Sequence, residues 1–299
     1  MPPSQMQSYI PPAEQDLGGQ DYMYSQCNGR KKALLIGINY TGTSSVLQGC
    51  QNDVKQMKQF IQQHYRYEDG DVVMLTDEPH RQLNEQPTRA NIIWGMQWLV
   101  RNAEPNDSLF FHFSGHGGVT EDLDGDEAGG FDQVIYPVDY AAAGHIVDDE
   151  MHDIMVSGVY PGKPLPPGCR LTAIFDSCHS GTALDLPFIY STEGKIKNGA
   201  RLLGKQNAAR ELSRYTKSSP ADVISWSACK DSQKSVDTMV DGQATGVMSW
   251  AFMKSLSHNP QQSYQQLLVS IRALLKQKYS QRPQLSSSHP MNMDILFIV

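Results

Sequence analysis

Two apolar runs constrain this chain more than any other feature, because each ends abruptly in small, chemically active residues. Leu109 to Phe113 leads into Ser114-Gly115-His116-Gly117-Gly118, and Leu171 to Phe175 leads into Asp176-Ser177-Cys178-His179-Ser180-Gly181. Apolar runs of this length without polar alternation read as strands covered on both faces. Ala33 to Ile38 is a third such run, and Asp71 to Leu75, Val134 to Tyr136 and Val223 to Trp226 read as further strands. Helical patterns stand between them. One starts near Asn52, a good N-cap, and carries Val54, Met57, Phe60 and Ile61 on one face. A second, Ala90 to Val100, buries Ile92, Ile93, Met96 and Leu99. Asp148-Asp149-Glu150 opens another helix, residues 248–256 and 264–275 are helical, and Ile295 to Val299 is expected to close the sheet as a last strand. Strands alternating with helices predict an α/β fold with a mostly parallel central sheet between two helical layers. Sites in such sheets lie beyond the carboxyl ends of strands, where both active segments fall.

Side chains two apart on a strand point the same way, so Asp176 shares a side with Cys178, and Ser114 with His116. Adjacent parallel strands ending together would bring a thiol to an imidazole. This is the requirement for a Cys/His nucleophilic dyad, with Cys178 as nucleophile and His116 as base and later acid. The backbone N–H groups of Gly117 and Cys178 are candidates for the oxyanion hole. His179 adjoins the cysteine and should point away from it. Ser114 and Ser180 raise a serine hydrolase as the rival, but the G-x-S-x-G elbow is absent.

The bulk numbers exclude more than they assign. A formal charge of −7, from 25 basic and 32 acidic side chains, argues against nucleic acid as the main partner. No apolar run approaches the roughly 20 residues that span a bilayer, and Met1-Pro2-Pro3-Ser4 does not open like a secretory signal. Neither membrane nor nucleic acid is therefore an expected partner. The five cysteines are odd in number and lack a CxxC pair, which argues against a disulfide framework or zinc site and for reduced thiols in the cytosol or nucleus. Residues 1–30, rich in Pro, Gln, Ser, Tyr and Gly, are expected to be a flexible segment, with one catalytic domain over 31–299. Within it, residues 192–220 read as a mobile basic linker carrying Lys195, Lys197, Arg201, Lys205, Arg210, Arg214 and Lys217.

The His and Cys segments resemble those of the caspase-like clan, although the caspase signature Q-A-C-x-G is absent. D-S-C-H-S-G with F-S-G-H-G is similar to the metacaspases, specifically the fungal type I group. The likeness runs from about Lys32 to Val299 and takes in Asp122 to Glu127, Val134 to Asp139 and Ser286 to Pro290. It implies a caspase-like three-layer αβα sandwich and a cysteine endopeptidase that cuts protein or peptide substrates after Arg or Lys, acting as a monomer in regulated proteolysis, cell death or stress and protein quality control. Asp53, Asp176 and Ser114 match residues of the family's substrate pocket. Two carboxylates in one pocket would favour a guanidinium or ammonium and reject an acid. Read without the resemblance, Asp53 is better explained as a first-turn acid on the helix dipole. Cys50 matches a second thiol of some members, here read as core. Asp132, Asp148, Asp149 and Asp185 match a Ca²⁺ site that activates without catalysing. Asp148 and Asp149 alone would also serve as a helix cap. The Asp122, Asp124, Asp126 series is no EF-hand, because Glu127 and Gln133 stand where Gly and Glu are needed. An Arg/Lys peptidase would also find sites in its own basic linker, so self-cleavage is expected there. The alternative is a caspase-fold interaction or chaperone-like protein partly independent of catalysis.

Overall fold

The structure, a computed structural model, describes residues 1–9, 20–122, 131–158, 162–177, 183–193, 195, 217–229, 238–240, 243–276 and 282–299. It begins with an antiparallel pair, β1 (Gln7–Tyr9) and β2 (Gln20–Tyr22). There follow β3 (Lys31–Gly37), helix α1 (Cys50–Tyr65), β4 (Val72–Thr76), α2 (Arg89–Val100) and β5 (Ser108–Ser114). A small antiparallel sheet of β6 (Gly117–Glu121), β7 (Phe131–Ile135) and β8 (Ile146–Val147) follows, with α3 (Tyr140–Ala143) between its last two strands. Helix α4 (Asp148–His152) runs on into a wider π turn over Asp153–Ser157. The chain continues through β9 (Arg170–Asp176), β10 (Phe188–Tyr190), β11 (Asp222–Cys229), β12 (Thr238–Val240), β13 (Gln243–Thr245), α5 (Val247–His258), α6 (Tyr264–Lys276) and β14 (Arg282–Ser287).

Among the described residues the central sheet has the order β10-β14-β11-β9-β5-β3-β4. The five strands from β4 to β11 pair in parallel, and β14 and β10 add antiparallel at one edge. Helices α1, α5 and α6 bury Val54, Met57, Phe252, Leu267 and Ile271 on one face. Helix α2 and the α4–π segment bury Ile92, Met96, Leu99, Met151 and Met155 on the other. The architecture is thus the predicted mostly parallel αβα sandwich. Strands β3, β5 and β9 are buried throughout apart from the residues at their ends, because both faces are covered.

Four expectations are corrected. Ile295–Val299 is not a strand: Phe297 turns inward against Trp226, Phe252 and Tyr264, and the strand that pairs with β11 on that side is the polar β14, with β10 outside it. Helix α1 starts two residues before Asn52, with Gly49 as its cap residue. The strand expected at 134–136 is β7, which belongs to the small sheet. Residues 20–30 are not a loose segment. Ser25 N–H donates to the buried Asp222 carboxylate at 2.8 Å, Met23 N–H to Pro220 O at 3.1 Å, and Tyr22 stacks on His289 with ring centres 4.0 Å apart.

Candidate active site

The parallel register decides which residues meet. Gly37 pairs with Ser114 and Ser114 with Asp176, so β3, β5 and β9 end level at one edge. His116 leaves that edge two residues beyond Ser114. Cys178, His179 and Ser180 lie outside the described residues. The strand leading to them is buried to its last turn, with Ser177 only 6% exposed.

His116 is half-buried and held at three points. Its backbone N–H donates to the Tyr40 hydroxyl at 2.9 Å, its ring packs on the Tyr40 ring with centres 4.5 Å apart, and its Nε2 lies 2.6 Å from Ser45 O. A carbonyl only accepts, so Nε2 carries the proton in this contact and Nδ1 is left as the basic nitrogen. Gly117 opens β6 opposite Ile135.

Asp53 is fully buried in the first turn of α1 and does not act merely as a dipole partner. Its carboxylate accepts from Ser114 Oγ at 2.7 Å, Thr245 Oγ1 at 2.6 Å and Gly246 N–H at 2.8 Å. Asp176 accepts from Ser249 N–H at 2.7 Å, which satisfies a donor at the open N-terminus of α5. Ser249 Oγ in turn lies 2.7 Å from Nε2 of His112, whose burial keeps it neutral by lowering its pKa to about 3. The two acids converge on Gly246: a Cβ there would run into the Asp176 carboxylate and come within 2.7 Å of Asp53 Oδ2. Burial, reinforced by the charge of Asp176, pushes the Asp53 carboxyl up to about 7, against the opposing pull of its three donors. Two half-repelling acids in a dry site would gain from a cation between them. Ser114, committed to Asp53 and buried, is not poised as a nucleophile.

The second acidic group lies where β7 of the small sheet meets the first turn of α4. Oxygens of Asp132, Asp148 and Asp149 lie within 4.8 Å of one another. Lys217 joins Asp149 to Asp185, its Nζ 2.8 Å from Asp185 Oδ2. Asp148 accepts from Gln133 N–H through Oδ2, while its buried Oδ1 has no hydrogen-bond partner among the described residues. Burial and the charges of Asp185, Asp149 and Asp132 push the Asp148 carboxyl up to about 8. Hard oxygen donors from a strand and a helix start, with a buried oxygen lacking a described partner among them, fit a divalent cation such as Ca²⁺.

Of the linker lysines, Lys195 is exposed on a turn closed by Ser191 N–H to its own carbonyl. Lys197, Arg201, Lys205, Arg210 and Arg214 lie outside the described residues. Lys217 corrects the picture of a wholly exposed linker, since its side chain is 12% exposed and ion-paired. Cys50 is buried and clustered with Tyr40 and Leu47, as core packing requires. Among the described residues, Cys27, Cys50 and Cys169 form no disulfide. The sequence reading missed Tyr40, Ser45, Thr245, Gly246 and Ser249. Only Tyr40 left a signal, since it follows the first buried strand onto the active edge.

Residues 31–187 match the metacaspase, peptidase C14 domain. Metacaspase-1 of Cryptococcus neoformans is 54% identical over 99% of this chain and 71% of its own length. Metacaspase-1A of Aspergillus terreus is 54% identical over 94% of this chain and 76% of its own. Among solved structures, caspase-1 from Spodoptera frugiperda shares the fold at TM-score 0.52 with 10% identity, over 89% of each chain. A Geobacter sulfurreducens protein does so at TM-score 0.56 with 19% identity, over 88% of this chain and 95% of its own.

Proposed function

Because the chain belongs to the metacaspase family of peptidases, and is thereby a cysteine peptidase, we propose that it is a calcium-activated endopeptidase that cuts after Arg or Lys. The observation that carries this reading is the convergence of Asp53 and Asp176 on Gly246. An arginine or lysine side chain entering there replaces carboxylate–carboxylate repulsion with charge-assisted hydrogen bonds. An aspartate side chain would add a third negative charge. Ser114, Thr245 and the Gly246 N–H orient the Asp53 oxygens without neutralising them.

In this reading His116 Nδ1 takes the Cys178 thiol proton, and the thiolate attacks the carbonyl carbon of the basic residue itself. The oxyanion is held by the N–H groups of Gly117 and Cys178. The imidazolium then gives its proton to the leaving amine as the C–N bond breaks, and His116 next removes a proton from the water that hydrolyses the thioester. The Ser45 carbonyl contact keeps the same ring nitrogen in play at each step.

Asp132, Asp148, Asp149 and Asp185 would hold Ca²⁺, which supplies no chemistry to the peptide bond. Asp185 stands seven residues beyond Cys178, so its ligation would order the chain on the far side of the nucleophile. Self-cleavage is proposed for the basic stretch 192–220, with Lys195 as its exposed described candidate. The test compares Arg-ending and Asp-ending fluorogenic peptides, with calcium and with chelator, using Cys178→Ala as blank. Cleavage of the Arg peptide that needs both calcium and Cys178 is the expected result. Equal rates in chelator would remove the calcium part, and preference for Asp the pocket part.

A further inference from the structure

Tyr40 makes more contacts to the catalytic histidine than any dyad chemistry requires of it. Its hydroxyl accepts from His116 N–H at 2.9 Å and donates to Tyr136 O at 2.6 Å, while Tyr136 N–H returns to His116 O at 3.1 Å. The three residues thus close a ring of hydrogen bonds around the His116 backbone. Tyr40 is 1% exposed, and burial holds its phenol far above the ordinary tyrosine range, so the hydroxyl keeps its proton. Its backbone sits at φ 53°, a left-handed conformation uncommon for a bulky residue and costly to keep without a reason. That conformation starts the turn that supplies the second support. Thr43 N–H and Thr43 Oγ1 donate to Tyr40 O at 3.1 and 2.8 Å, and Ser45 N–H donates to Thr43 Oγ1 at 3.2 Å. Ser45 O then meets the imidazole.

We infer that Tyr40 is the positioning residue of the catalytic dyad. Its side chain fixes the His116 backbone, and its carbonyl fixes the turn whose Ser45 carbonyl selects the imidazole tautomer. Tyr40→Phe keeps the ring and removes the hydroxyl. It is expected to lower kcat about tenfold or more, with KM within about twofold, since misplaced general bases cost rate and not binding. The rate of Cys178 alkylation by iodoacetamide, followed by peptide mass spectrometry across pH 5–9, reports the pairing directly. Its thiolate limb should move to higher pH in the variant. A folded Tyr40→Phe with unchanged kcat and an unmoved limb overturns the inference. Should Tyr40→Phe not fold, Thr43→Val decides: it breaks the exposed link from Tyr40 O to Ser45 N. Loss of kcat at constant KM supports the role, and full kcat overturns it.

A separate observation carries a second inference, which rests on the calcium reading above. Lys217 places its ammonium between Asp149 and Asp185, while its own carbonyl lies 3.1 Å from His152 Nε2. A divalent cation drawing on the same oxygens cannot share them with an ammonium at contact distance. The geometry points to Lys217 as a built-in competitor that neutralises part of the acidic cluster until Ca²⁺ displaces it, freeing the C-terminal anchor of the basic stretch. Lys217→Met keeps the length and removes the charge. Titration calorimetry with CaCl₂ on the Cys178→Ala background should give at least tenfold tighter binding in Lys217→Met. Covalent amine labelling of Lys217 in the Cys178→Ala protein should rise on adding calcium. Equal or weaker calcium binding in Lys217→Met overturns this inference alone. Absence of binding in both proteins overturns the calcium reading with it.

Discussion

At the residue scale, a single carboxyl carries the specificity argument. Burial, then the neighbouring charge of Asp176, pushes the Asp53 carboxyl up to about 7. A guanidinium binds best to the ionised form, so protons and ligand compete. The inhibition constant of agmatine, a guanidinium competitor, is expected to rise as pH falls through about 7, approaching tenfold per unit below it. A flat profile between pH 6 and 8 would mean that Asp53 does not face the ligand. Asp53→Asn leaves the three donors in place but removes the charge, and should cost about a hundredfold in kcat/KM on Arg peptides. Asp53 was legible in the sequence only by its match to a family, since its spacing alone fits a first-turn acid. Its partners Thr245 and Gly246 arrive from about 190 residues away through the fold, and no local pattern announces them.

At the element scale, the N-termini of α5 and α4 each make an expectation. Gly246 has φ −70° and ψ 135°, which any residue adopts, so it is a glycine because of the space the two carboxylates take. Gly246→Ala should therefore push the two carboxylates aside, lowering the melting temperature by several degrees and raising KM for Arg peptides about tenfold. An unchanged KM would show that binding does not depend on where the acids stand. At the start of α4, the Asp148 carboxyl is raised to about 8 against roughly 4 in the unfolded chain. Its contribution favours folding at low pH and is lost as pH rises from about 4 through 8, the sign that a raised carboxyl dictates. Asp148→Asn removes that cost. By scanning calorimetry in chelator at pH 8, it should melt about 2–4 °C higher and lose the calcium-induced shift. Elements also explain what the sequence concealed. The runs before Ser114 and Asp176 read correctly as strands because both of their faces are covered. The run Ile295–Val299 did not, because apolarity signals burial and not pairing. Strand β14 is polar yet buried at Leu285, Ser286 and Ser287, and Ser288 beyond it donates to Ala221 O at 2.7 Å; hydroxyls meeting backbone leave no hydrophobic trace.

At the scale of the whole molecule, the N-terminal residues, the edge of the sheet and the C-terminal segment are tied together at one buried ion pair. Arg170 and Asp222 are both fully buried and lie 2.5 Å apart, with Ser25 N–H and His289 completing the shell of Asp222 and Tyr264 that of Arg170. Breaking such a pair by removing one partner costs about 3–5 kcal/mol. Deleting residues 1–27 removes the Ser25 donor and the Tyr22 and Tyr24 rings from His289. The shortened chain is expected to melt at least 5 °C lower. An unchanged melting temperature would restore the reading of this segment as a loose tail. This strap lies at the opposite end of β9 from Asp176 and Ser114, so it bears on stability and leaves the pocket argument untouched. That argument is tested most directly by digesting a mixed peptide library with the calcium-loaded enzyme and sequencing the new ends. Arg or Lys is expected before nearly every cut, with that preference weakened in Asp53→Asn. Cuts after Asp, or cuts with no preference, would contradict it.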